Sequence, residues 1–82
     1  MSDFKYEMIR RIALLSESAR GWRKEIRIVN WNERGPKLDT REWSPNYDRM
    51  SRGLTLSRDE ALRLKEALND LELEELNLAQ NG

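Results

Sequence analysis

Arg23–Trp43, RKEIRIVNWNERGPKLDTREW, contains two alternating runs with a turn between them, and the fold class follows from it. In Arg23–Trp31, Ile26 and Ile28 point one way while Arg23, Glu25, Arg27, Val29 and Trp31 point the other, the period of two that a β-strand imposes. Asn32–Pro36, NERGP, is turn chemistry, polar residues followed by Gly-Pro. Lys37–Trp43 resumes the alternation, with Leu38 and Thr40 on one face and Lys37, Asp39, Arg41 and Trp43 on the opposite one. Strands joined by so short a turn run antiparallel.

Working backward, Ser16–Gly21 (SESARG) is a polar turn ending in Gly. Before it, Phe4–Ser16 places Phe4, Tyr6, Met8, Ile12 and Leu14 on even positions, but Arg10 interrupts the row and Ile9, Ala13 and Leu15 blur it. It reads as a long, bent strand, with a helix left open for its second half. Working forward, Ser44–Asp48 (SPNYD) breaks the third run, Ser44 being held extended before Pro45. Met50–Leu56 is a fourth run with Leu54 and Leu56 inward, and Gly53 marks either a bulge or a close backbone approach.

Ser57-Arg58-Asp59-Glu60 fits a capping box, and its acidic residues suit the positive end of a helix dipole. Leu64, Leu68 and Leu71 follow at i, i+4 and i+7, with Ala61 and Leu62 alongside. Beyond Asn69-Asp70 the apolar phase slips. The reading is one domain at 1–71, with 72–82 an acidic extension of the helix or a tail. The order β-β-β-β-α predicts an α+β fold: a four-stranded antiparallel meander whose Ile26, Ile28, Leu38 and Leu54 face is covered by the helix. The other face is left to water or a partner.

Of the 82 residues, 38% are hydrophobic and 37% charged, so a lone core is thin and oligomerisation is the expected remedy. Leu64, Leu68 and Leu71 are the candidate dimer interface. Absence of cysteine, of an apolar run near ~20 residues and of a signal-peptide core predicts a cytoplasmic protein, nucleoid-associated if bacterial. Zero net charge conceals an asymmetry: residues 1–58 hold thirteen Lys/Arg against eight Asp/Glu, residues 59–82 two against seven. A basic first part calls for an anionic partner.

The common catalytic constellations are missing. There is no histidine or cysteine for zinc, triad or thiol chemistry, and the four glycines form no phosphate loop. Glu72, Glu74 and Glu75 fall in a solvated tail with no burial to tune them. No enzyme, cofactor or metal is expected. What remains is the face carrying Arg23, Arg27, Trp31, Lys37, Arg41 and Trp43. A basic groove tracks phosphates and aromatic rings stack on unpaired bases, which together suit single-stranded nucleic acid. Trp22 shares the parity of Ile26 and Ile28 and is assigned to core or dimer packing. Tyr6, Tyr47 and Phe4 are assigned to the core or to edge packing.

Lys37–Leu68, KLDTREWSPNYDRMSRGLTLSRDEALRLKEAL, resembles the transcriptional positive cofactor 4 family, with its K-x-D-x-R-E-aromatic piece, a variable turn, R-G-L-T-L and an amphipathic helix. The preceding LLSESARGWRKEIRIVNWNERGPK is similar to that family's bacterial YdbC-type branch, and the resemblance spans roughly residues 4–70. It implies a curved four-stranded sheet and a helix, dimerised through helices and sheet edges, with channels that bind single-stranded DNA with little sequence preference. Carried over by position, Trp31 takes the place of a stacking aromatic, Arg41 and Trp43 match the R-E-aromatic motif, and Arg52 precedes the family glycine at Gly53. Arg23 and Lys24 fall at the basic start of the second strand. Ser44 and Val29 depart from the pattern, which has an aromatic and a basic residue there, and no regulatory arm is carried over. The expectation is a homodimeric single-stranded DNA-binding protein, a transcription or DNA-maintenance cofactor. RNA binding and a protein–protein adaptor that docks an acidic partner are the alternatives.

Overall fold

The computed structural model describes residues 5–81; Phe4, assigned above to the first strand, lies outside the described residues. Four strands form one antiparallel sheet in the order β1-β2-β3-β4. They are β1 (Tyr6–Glu17), β2 (Arg23–Trp31), β3 (Pro36–Trp43) and β4 (Leu54–Leu56), followed by helices α1 (Arg58–Asp70) and α2 (Glu74–Asn81). The α+β class and the meander expected from the alternating runs are present.

β2 and β3 pair without a register break from Arg23↔Trp43 to Asn30↔Pro36. Their turn is tighter than its Gly-Pro suggests. Asn32 and Glu33 both have positive φ (52° and 62°), and the Arg34 N–H donates to the Trp31 carbonyl at 3.1 Å. Positive φ at two successive turn residues matches the twist of antiparallel strands. Asn30 Oδ1 accepts from the Gly35 N–H at 3.0 Å, fixing the far side of the turn.

β1 is a strand throughout, and its blurred periodicity has a physical cause. Register shifts fall between Met8 and Arg10, Arg11 and Ala13, and Leu14 and Ser16. Ile9, Ile12 and Leu15 are therefore extra residues at three bulges, and all three are exposed. Each bulge bends the strand and raises its local twist.

The core is not where the alternation placed it. Glu25, Val29, Asp39 and Trp43 are the largest fully buried side chains, and all lie on the arginine-bearing face. On the isoleucine face, Ile26, Ile28, Leu38 and Leu56 are only half-buried and Leu54 is exposed. The helix does not seal that face: α1 touches β3 and β4 and buries none of its own residues. The arginine face closes because the rings of Tyr6, Trp31, Trp43 and Tyr47 and the 44–51 segment pack over it. Ser44 is buried as the knot of that segment, donating from Oγ to Asp48 at 2.7 Å while accepting from the Arg49 N–H at 3.0 Å.

α1 begins as its sequence dictates. Ser57 Oγ accepts from the Glu60 N–H at 3.2 Å and Glu60 Oε1 accepts from the Ser57 N–H at 2.9 Å. The helix ends at an extended Leu71, and α2 is a separate helix, neither a continuation of α1 nor a tail. No helix among the described residues is long and apolar enough to cross a membrane.

Candidate nucleic-acid interface

Two strand segments with the same chemistry build the site. Glu25-x-Arg27 on β2 and Asp39-x-Arg41 on β3 each put a carboxylate and a guanidinium on one face, because residues two apart share a side. The register then sets Glu25 opposite Arg41 and Arg27 opposite Asp39. The four charges alternate around a square, each with an opposite charge beside it along the strand and across the pair.

Hydrogen bonds tighten both sides of the square. Arg27 Nε donates to Glu25 Oε1 at 2.6 Å. Arg41 grips Asp39 through two nitrogens, Nε to Oδ2 at 2.6 Å and Nη2 to Oδ1 at 2.8 Å. Thr55 Oγ1 on β4 donates to the same Asp39 Oδ1 at 3.0 Å. Glu25 Oε2 accepts from the Tyr47 hydroxyl at 2.8 Å and from Arg11 Nη1 at 3.4 Å. Arg23 Nη1 donates to the Tyr47 oxygen at 3.3 Å, which brings a fourth basic strand residue into the network. Burial pushes the Glu25 carboxyl up, but the bonds from Arg27, Tyr47 and Arg11 outweigh it and hold the group below its usual value. Burial likewise pushes Arg27 down, and its bonds to Glu25 and Tyr47 more than restore it.

An aromatic row adjoins the square. Tyr6 lies 5.3 Å from Trp31 and 5.7 Å from Trp43 between ring centroids, and Trp43 lies 6.1 Å from Tyr47. The Arg41 guanidinium sits 4.6 Å above the Trp31 ring and that of Arg27 5.2 Å above Tyr47, both within cation–π range. Each internal carboxylate thus holds an arginine, and each arginine holds a ring.

Most of the residues expected from sequence meet here, but not all in the expected way. Arg23, Arg27, Trp31, Lys37 and Arg41 share this face, and Trp31 and Lys37 are half-buried. Trp43 is on the same face yet only 1% exposed, so its ring is core and cannot serve as a stacking platform. The Tyr6 and Tyr47 rings cover it. Lys24 pairs with Glu42 and Ser16 on the isoleucine face, away from the other cations. Arg52 is exposed just before β4. Gly53 is a close approach: a Cβ there would stand 2.5 Å from the Arg41 Cβ and from the Thr40 carbonyl oxygen. Trp22 belongs to the β1–β2 turn, its N–H donating to Ser18 Oγ at 3.2 Å.

Sequence reasoning missed Glu25, Asp39 and Tyr47. The signal for the carboxylates was present in the repeated acid-x-Arg spacing on adjacent strands. Tyr47 carried none, because it reaches the site from a loop through a left-handed backbone (φ 61°).

An uncharacterized protein of Treponema pallidum (strain Nichols) is 42% identical over 72 residues, covering 88% of this chain and 85% of that one. This chain belongs to that protein's family. No family model matches it.

Proposed function

We propose that the protein is a homodimer that binds single-stranded nucleic acid, DNA in the first instance, without catalysing a reaction. The observation that carries this reading is the juxtaposition on one sheet face of Trp31, ordered by Arg41 and Tyr6, with Arg11, Arg23 and Lys37. Rings held in place offer stacking to unpaired bases, and cations nearby meet the phosphates that accompany them. A duplex hides its bases and gains little from such a face. The positive cofactor 4 resemblance points the same way.

Dimerisation is the second part of the reading. The radius of gyration is 14.9 Å, whereas a compact chain of this length would have about 12 Å. Leu62, Leu64 and Leu68 are exposed on α1, and Leu71 at its C-cap is half-buried. An open single layer with an exposed leucine row is what one half of a dimer leaves behind.

The test is a titration of intrinsic tryptophan fluorescence with a single-stranded oligonucleotide, its duplex and its RNA equivalent, at two salt concentrations. Quenching by the DNA single strand, weakened by salt and much smaller with duplex, is expected. Equal affinity for duplex and single strand would overturn the proposal, and a clear preference for the RNA strand would move the assignment to RNA.

A further inference from the structure

On the face proposed to bind single strands, an inference resting on that reading, we infer that Arg27 and Arg41 are positioning residues neutralised by Glu25 and Asp39, and that phosphate is captured by Arg11, Arg23 and Lys37. Exposure separates the arginines of the two groups. The side chains of Arg27 and Arg41 are 14% and 13% exposed, and those of Arg11 and Arg23 are 49% and 35% exposed. Commitment of donors separates them further. Arg41 spends Nε and Nη2 on Asp39 and turns Nη1 to the Ser51 carbonyl and to Met50 Sδ, both at 3.4 Å. Arg23 gives Nη1 alone, to the neutral Tyr47 hydroxyl at 3.3 Å, and meets Glu17 only at 3.8 Å, while Arg11 engages Glu25 through Nη1 alone at 3.4 Å.

Energetics favour keeping the inner arginines where they are. Turning Arg41 toward a phosphate would leave Asp39, buried at 1% exposure, without its cation, and a buried carboxylate stripped of its partner is strongly unfavourable. It would also withdraw the guanidinium from the Trp31 ring. The alternating square is neutral in sum and presents no net charge to a polyanion. Arg11 and Arg23 belong to β1 and to the start of β2, and Lys37 to the start of β3, so the capturing cations flank the square. The inner ion pairs set ring orientation, and the flanking cations set the salt dependence.

The experiment measures log affinity against log salt for an oligo-dT strand. Each phosphate contact on a single strand contributes about 0.7 to that slope. Arg11→Gln, Arg23→Gln and Lys37→Gln, changes at side chains outside the core, should each flatten the slope by about 0.7. The double variant Asp39→Asn with Arg41→Gln, which keeps the net charge, should keep the wild-type slope while shifting Trp31 emission. Should the double variant not fold, the three flanking variants decide alone: an unchanged slope in all of them overturns the assignment. A loss of about 0.7 in the double variant also overturns it. If the wild-type chain binds no oligo-dT even at low salt, the binding reading fails and this inference with it. Binding with the slopes reversed removes only the division of roles.

Discussion

Trp31 and Trp43 show how two identical residues on one sheet face come to different environments. Trp31 ends β2, is half-buried and has Arg41 above its ring, whereas Trp43 ends β3 beneath Tyr6 and Tyr47 and is buried. Trp31→Ala should therefore weaken single-strand binding by about 1–3 kcal/mol and leave the fold standing. Trp43→Ala should instead cost about 3–5 kcal/mol of stability, as truncating a buried large aromatic does. Urea unfolding and oligonucleotide titration of both variants check this; equal effects on the two properties would contradict it. Glu25 adds a pH dependence. Its carboxyl is depressed in the folded state, so its contribution is present in full above the unfolded value of about 4.3 and is lost as pH falls through the lower folded value. In Glu25→Gln, the drop in urea midpoint between pH 6 and pH 3 should be smaller than in wild type. An unchanged drop would show that the acid sensitivity lies elsewhere.

Elements whose determinants are local are legible in the sequence. β2 and β3 alternate strictly, and α1 carries its own start signal in Ser57 and Glu60, so their bounds follow from a few adjacent residues. Ser57→Ala should cost about 0.5–2 kcal/mol by removing that cap, measurable as a lowered urea midpoint. No change would mean that the helix start is held by other contacts. β1 is legible only as a bent strand, because a bulge every third residue converts period two into a pattern that a helix can mimic. The buried face is not legible at all. Ile26, Ile28 and Leu38 are the more apolar set, and transfer arguments put them inside. What buries Glu25 and Asp39 is mutual neutralisation by Arg27 and Arg41 and the return of the 44–51 segment, contacts between residues up to 22 positions apart. Alternation says which residues share a side; it does not say which side is covered.

The molecule as a whole is a slab of 47 × 34 × 20 Å, and its thinness has a consequence for assembly. One sheet layer and a helix that buries none of its residues leave apolar area facing outward on both: Leu54 on the isoleucine face, and Leu62 and Leu68 on α1. Burial of apolar surface contributes about 25 cal/mol per Å², so leaving these chains in water forfeits stabilisation that a domain this small has little room to lose. In the proposed dimer a second copy would supply the same leucine row by symmetry, because a twofold interface is self-complementary. Two measurements follow from dimerisation coupled to folding. The urea midpoint should rise with protein concentration, since association draws the equilibrium toward the folded state. Leu68→Glu should yield monomers or unfolded chains, because Leu68 is 54% exposed in the single chain and a carboxylate there is harmful only if a partner covers it. Sedimentation of the wild type at micromolar concentration decides between the two accounts. A monomer with a concentration-independent midpoint, and a Leu68→Glu variant as stable as wild type, would show that the slab stands alone.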